Sequence, residues 1–548
     1  MMKRKYNLLL LIALIMSSIA TKAQNNPDFT LASNGFTCLC PDANFGDTGT
    51  LTINGEDKTF TKRDRSQLDN IITNDVQNPQ IALTCTTGIA DMSAMFLQAG
   101  SFNQPLDYWD VSNVIDMSNM FRDATSFNQS LDKWDVSNVT DMYGMFMSAS
   151  SFNQPINNWD VSSVTDMSAL FLGGINSYTN FNQPLGNWDV SNVTSMQNMF
   201  ENNIAFNQPL NSWDVSSVTT MSQMFLNATS FNQPLNNWDV SNVTDMYALF
   251  WGVDFDMSFN QPLNNWDVSS VTDMSRMFNA NLSYSHSFNQ HLNDWDVSNV
   301  TSMLGMFYGA TSFNKPLDSW NVSNVTNMKS MFFNATNFNQ PLNNWNVSNV
   351  TDMDFVFYFA TSFNKPINNW DVSNVTTMSS MFFGAQSFNQ PLNNWDVSSV
   401  TSIGGMFRGY DFDMAFNQPL DNWDVSNVTN MAEVFYNATS FNQDISDWCV
   451  EQIATEPDNF AANSALPPSK QPNWGVTCTL SIADNRLENF KVYPNPAKDD
   501  LNLSWSFSNL PVEMSIQIYS LNGQRIVSKS YSQKPSEVNV SQLASGVY

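Results

Sequence analysis

The sequence predicts a repeat solenoid followed by a small β-sandwich, on three observations. A motif of about 25 residues recurs fourteen times, its framework Trp falling at 109, 134, 159, 188, 213, 238, 266, 295, 320, 345, 370, 395, 423 and 448. Each copy carries two hydrophobic periods in succession. Residues 481–548 abandon the motif for short alternating runs broken by turn residues. A fixed period of this length marks a stacked array, because a unit so short cannot bury its own apolar face and must cover the next. The 548 residues are therefore not read as three or four ordinary domains.

The unit that starts at Phe102 shows the logic. Leu106-x-x-Trp109-x-Val111 alternates at its end and reads as a short strand. Asp110, Ser112 and Asn113 offer side-chain oxygens for a turn. Met117, Met120, Phe121 and Ala124 follow i, i+3, i+4, i+7, one face of a short helix. Asn103-Gln104-Pro105 makes the second corner, since proline disfavours helix before it. The framework supplies 14 of the 17 Trp and 28 of the 41 Phe, so the aromatic and Met content is read as core, with Met filling irregular gaps.

Composition narrows the function. Charged residues are only 13%, with 22 Lys+Arg against 50 Asp+Glu, a net charge of −28 and a pI near 4.1. A chain this acidic repels phosphate backbones, so nucleic acid is excluded as a partner. Two histidines, His286 and His291, leave little for His-based catalysis. G-x-S-x-G, H-E-x-x-H and Walker A patterns are missing, so no enzyme is expected.

The ends differ from the array. Residues 1–23 read as a signal peptide: Lys3, Arg4 and Lys5 precede an apolar run from Leu8 to Ile15, too short to span a membrane. No span is expected in the mature chain. Residues 24–88 form an N-terminal cap, with a hairpin around Asn54-Gly55 and a short helix from Ser66 to Asn74. Residues 89–448 are the array, and residues 449–480 the C-terminal cap. The five cysteines flank the array. Export implies oxidation, so Cys449 is expected to pair with Cys478, and Cys85 with Cys38 or Cys40. Each bridge contributes about 3–4 kcal/mol in the chain-entropy model.

Two candidate sites emerge. The Asp after each Trp (Asp110, Asp135, Asp160, Asp189, Asp214, Asp239) would align on stacking, as a stripe for Ca²⁺ or as a row of turn caps. Asn321 and Asn346 keep the cap without the charge. Four units carry three or four extra residues on one edge, with Tyr178, Trp251, Phe255, Tyr284, Tyr410 and Phe412 in or beside them. Insertions on one face often mark the binding side, here an aromatic patch for sugars or apolar groups.

The pattern L-x-x-W-D-V-S-x-V-T-x-M-x-x-M-F-x-x-A-x-x-F, repeated from about Ile89 to Trp448, resembles the BspA-like leucine-rich-repeat surface proteins of bacteria. Ile403 in place of a framework Met, and Asn321 and Asn346, are the departures. The resemblance implies a leucine-rich-repeat-like solenoid with a surface or adhesion role toward a glycan, matrix or host protein. A structural spacer without a ligand is the alternative. Val492-Tyr493-Pro494-Asn495-Pro496, Asn522-Gly523-Gln524 and Leu543-Ala544-Ser545-Gly546-Val547-Tyr548 are similar to the type A C-terminal sorting domain of the type IX (Por) secretion system. That likeness implies export to the surface of a Gram-negative, Bacteroidota-type bacterium, with residues 481–548 engaging the secretion machinery. Family members continue past Gly-Val-Tyr, so the domain is expected to be incomplete.

Overall fold

In the array, half of the backbone N–H groups along one segment of each unit leave the unit and bond the next one. Met117, Asn119, Phe121 and Asp123 donate to the carbonyls of Asp141, Tyr143, Met145 and Met147, at 2.7–3.0 Å. The intervening groups close tight turns within the unit: Met120 N to Met117 O, Arg122 N to Asn119 O, and Ala124 N to Phe121 O. This computed structural model describes residues 26–174, 177–410, 413–477, 491–493, 500–504, 514–519, 525–531 and 537–540. The signal segment 1–23 lies outside them. The chain divides into two units, Met1–Val476 and Thr477–Tyr548.

The expected helix over Met117–Ala124 is thus a run of turns. The cause is backbone handedness: Asn119 and Asp123 sit at φ of 55° and 59°, in the left-handed region that no α-helix contains. The i, i+3, i+4, i+7 spacing still buries Met117, Met120, Phe121 and Ala124 completely. Periodicity reported the inward face correctly and the hydrogen-bond path wrongly. The expected strand at Leu106–Val111 is likewise absent. Strand-like pairing in the array is limited to single-residue bridges. Asp91, Asp116, Asp141 and Asp166, each before the first Met, bridge in parallel and the row continues through Ser195 to Asn430, while the insertions add a few more, such as Thr179 with Asn203 and Met257 with His286.

Every framework residue bonds or packs across the unit boundary. Each Trp indole donates to the Leu or Ile carbonyl of the preceding unit, as Trp134 does to Leu106 O at 3.0 Å. Neighbouring Trp rings lie parallel, Trp188 and Trp213 having centroids 6.4 Å apart. The Asn of each Phe-Asn-Gln accepts from its successor: Asn103 Oδ1 takes the Asn128 N–H and the Gln129 side-chain amide, each at 3.0 Å. Thr165 donates its N–H to Thr140 O at 2.9 Å. One continuous apolar core, from Leu68 to Leu466, threads the stack.

The first end is closed by a small domain. β1 (Thr30–Leu31) pairs with β2 (Cys38–Leu39), and β3 (Thr48–Ile53) with β4 (Glu56–Lys62) and β5 (Thr84–Cys85). The β3–β4 hairpin turns at Asn54 and Gly55, both at positive φ, as Asn-Gly turns require. Helix α1 (Arg65–Asn74) starts in a capping box of Asp64 and Gln67 and buries Leu68 and Ile72 against the array. Cys85 is bonded to Cys40, which resolves the two expected alternatives, and Cys38 is a free, buried thiol. Burial holds that thiol's pKa near 12. Cys449 is disulfide-bonded; its expected partner Cys478 lies outside the described residues.

In the second unit, β6 (Lys491–Tyr493), β7 (Asp500–Ser504) and β10 (Glu537–Asn539) form one antiparallel sheet in the order β10-β7-β6. β8 (Met514–Tyr519) and β9 (Arg525–Tyr531) form an antiparallel pair; the Asn522-Gly523 turn expected between them lies outside the described residues.

Candidate functional site

The carboxylates after the framework Trp cap their own turns. Oδ1 of Asp110, Asp135, Asp160, Asp189, Asp214 and Asp239 accepts the N–H of the Ser two residues on, at 3.1–3.2 Å. In five of the six the Ser hydroxyl donates to the same oxygen, at 2.6–2.7 Å. These bonds favour the charged form and lower the pKa of Asp160 and Asp214. Asn321 and Asn346 accept the backbone N–H of Ser323 and Ser348 in the same way, each at 3.2 Å. Among the described residues no three His, Cys, Asp or Glu side chains gather in a metal-holding group. Of the two alternatives, a Ca²⁺ stripe or a row of turn caps, the hydrogen bonds are those of caps, each carboxylate being oriented along its own turn.

A different acidic row is present, and sequence reasoning missed it. Asp91, Asp116, Asp141 and Asp166 stack at the bridging position. Asp141, between two of them, has a raised pKa from burial and from the charges of Asp116 and Asp166. The N–H of Tyr143 donates to it at 2.8 Å. At the open end of this row Arg65 ion-pairs with Asp91 and also donates to the Asp91 and Ser93 carbonyls. A cleft of about 580 Å³ adjoins that point, lined by Phe45, Lys62, Asp64, Arg65 and Asp91 among others. Its cations are engaged in structure: Lys62 Nζ donates to Cys40 O and Pro41 O.

The insertion aromatics are not one patch. Tyr178 and Phe255, from two different insertions, meet edge to face at 5.2 Å. Trp251 lies under the Arg276 guanidinium at 4.5 Å. Tyr284 is half-buried elsewhere on the insertion that ends in His286. Tyr410, 50% exposed, meets Phe359 edge to face at 5.2 Å. Phe412 lies outside the described residues. His286 is wholly buried: its Nδ1 accepts the Phe288 N–H at 3.1 Å, so its proton resides on Nε2, which bonds Phe250 O at 3.0 Å. Desolvation lowers its pKa to about 4, and it is a structural group. His291 is exposed.

An aromatic column at the edge of the core, with Phe333 and Phe383 buried and Tyr308 and Tyr358 half-buried, was also missed. The residue after each Met-Phe forms a column, and in consecutive units that column reads Tyr308, Phe333, Tyr358 and Phe383. Their rings are parallel, with centroids 4.2, 4.2 and 4.4 Å apart. The Arg408 guanidinium continues it, 5.0 Å from both Phe383 and Tyr436. The signal was legible: Met-Phe-Tyr, Met-Phe-Phe and Val-Phe-Tyr appear only from Tyr308 onward, whereas earlier units carry Leu, Arg, Met, Glu, Trp or Asn there.

Four overlapping segments of this chain, residues 67–178, 173–256, 253–369 and 356–474, match the family described as Mycoplasma protein of unknown function, DUF285. Residues 491–548 match a secretion system C-terminal sorting domain. No curated protein matches the chain. No helix among the described residues is long and apolar enough to cross a membrane.

Proposed function

This chain belongs to the DUF285 family, and we propose that it is a non-catalytic binding protein whose array presents a repetitive face outside the cell. The chain is an exported protein, secreted or held at the cell surface, handled by the type IX machinery through its sorting domain. The reading rests on the pairing of that tail with a uniform stacked array. We read the array as a leucine-rich-repeat-like solenoid of the BspA-like kind, in which each unit spends its backbone and framework polar groups on its neighbours. Residues 1–23 serve as the export signal. Catalysis has no support: the carboxylates after Trp are committed to turns, and His286 is held neutral beneath Phe250 and Phe288.

An array offering the same groups many times suits a partner that is itself repetitive, because each added contact raises avidity without a new kind of site. Adhesion to a glycan or matrix polymer follows. The test expresses the full chain, and a form lacking residues 481–548, in a Bacteroidota host. Surface display of the full chain with retention of the shortened form in the periplasm is expected; equal display of both overturns the sorting role. Saturable binding of the displayed protein to host or polysaccharide surfaces separates a binding protein from a spacer, which would bind nothing.

A further inference from the structure

We infer that the aromatic column from Tyr308 to Tyr436 is a binding face for an uncharged, linear polysaccharide, which rests on reading the array as a binding protein. The first support is a backbone anomaly. Phe355 and Phe359 flank the column at φ of 60° and 52°, where a bulky side chain is disfavoured. The same two positions hold Asn119 and Asp123, Ser330 and Asn334, Ser380 and Gly384 in other units, and the first also takes the longer Gln223, Arg276 and Glu433; the aromatic rings set Phe355 and Phe359 apart. In the other units the stack holds without an aromatic ring at either position. Conformational strain of this kind collects at functional sites.

The second support is that the neighbours are shaped to admit these rings. Phe359 stands nearly perpendicular to Tyr358, Phe383 and Tyr410, at 4.9, 5.3 and 5.2 Å. A Cβ on Gly384 would lie 2.4 Å from the Phe359 ring, so the glycine next to Phe383 keeps that space open. Phe355 packs on Tyr358 at 5.8 Å. Both phenylalanines remain partly exposed, as do Tyr308, Tyr358 and Tyr436.

Charge selects the occupant. The cations at this face are balanced on the spot, Lys329 by Asp352 and Asp354, and Arg408 by Glu433. With two cations against three carboxylates the strip offers an anionic polymer no free cation, and on a chain of net charge −28 it disfavours one. Ion pairs beside aromatic rings supply donors and acceptors for vicinal hydroxyls; the column rings cover one another's faces, so their partly exposed edges and the crosswise Phe355 and Phe359 supply the apolar surface for the C–H groups of sugars. Partly exposed Tyr308, Tyr358 and Tyr436 recur along the column, with buried Phe333 and Phe383 and then Arg408 between them, a spacing that suits a ligand that repeats along its length.

The test is affinity electrophoresis of the full chain in gels containing hydroxyethylcellulose, mixed-linkage β-glucan or polygalacturonate. Wild type is compared with the double variant Phe355→Asn, Phe359→Asn, which installs the residue class tolerated at left-handed positions and should melt within a few degrees of wild type. Retardation of wild type by at least one uncharged glucan, none by polygalacturonate, and at least ten-fold weaker retardation of the variant are expected. Overturning results are absence of retardation in both uncharged gels, equal retardation of the variant, or a wild-type dimer that the variant abolishes, which would assign the face to a second copy. If the glucans fail while the displayed protein still binds surfaces, this inference falls and the binding role stands.

Discussion

At the scale of single residues, the polar groups are explained by what they cap. Asp214 holds its turn by accepting from Ser216 N and Oγ at 3.1 and 2.6 Å. Asp214→Asn keeps the acceptor, as Asn321 does, and should leave the melting temperature nearly unchanged; Asp214→Ala removes it and should cost about 0.5–1.5 kcal/mol. If those carboxylates serve only as caps, adding Ca²⁺ or EDTA shifts neither melt. His286 gives a pH test. Its folded pKa of about 4 lies below the ordinary 6.5, so the unfolded chain binds the proton first. Stability is intact above pH 6.5 and falls as pH drops toward 4. The shift corresponds to about 3 kcal/mol at most. In melts from pH 7.5 to 4, the deficit of His286→Gln relative to wild type should shrink across that window; a constant deficit would refute the buried neutral histidine.

At the scale of elements, the ends show why an array needs caps. The N–H groups of each unit donate forward, so the first unit has carbonyls with no donor behind them, and Arg65 of α1 fills two of these. At the other end residues 457–464 form one further partial unit that accepts from Glu433, Phe435 and Asn437. Pro457 takes the place of the framework Met there and has no N–H to leave unpaired. Arg65→Ala should therefore raise amide exchange for residues 92–98 more than for residues near Trp266, and lower stability by about 1–3 kcal/mol. The bridging row gives a second element-scale test. Asp141 has a raised pKa, so its carboxyl stabilises the fold at low pH and ceases to as pH rises. Asp141→Asn should stabilise at pH 7, and that gain should vanish in acid. The hairpin at Asn54-Gly55 and α1 were legible because turn chemistry and capping are local. The run of turns was not, since Met117, Met120, Phe121 and Ala124 meet the same inward spacing in a helix. The discriminating clue lay between the inward apolar residues, where Asn119, Gly144, Gly305 and Gly405 mark left-handed backbone.

At the scale of the molecule, the period, the Trp positions and the inward residues were all readable, because a repeat states its packing many times over. The aromatic column was not found that way: attention to insertions, which break the period, passed over Tyr308, Phe333, Tyr358 and Phe383, which change the chemistry while keeping it. The stack itself makes a sharper claim. If each unit interacts only with its neighbours, stability is a sum of unit and interface contributions, and excision in register should be tolerated. Removing residues 313–337 joins Ser312 to Phe338, and Phe338 then occupies the place of Phe313, with Trp345 donating to Leu292 O as Trp320 does now. This variant should fold, melt cooperatively and lose only a few degrees, as a change of ~1–2 kcal/mol does in a large chain. Removing residues 313–324 instead deletes about half a unit, placing Val325 against Phe288 and leaving one turn of the stack without its Trp. That form should show enhanced exchange on both sides of the junction and a lower, broader melt. Equal behaviour of the two deletions would mean that the units are not independent modules, and the additive account of the array would fail.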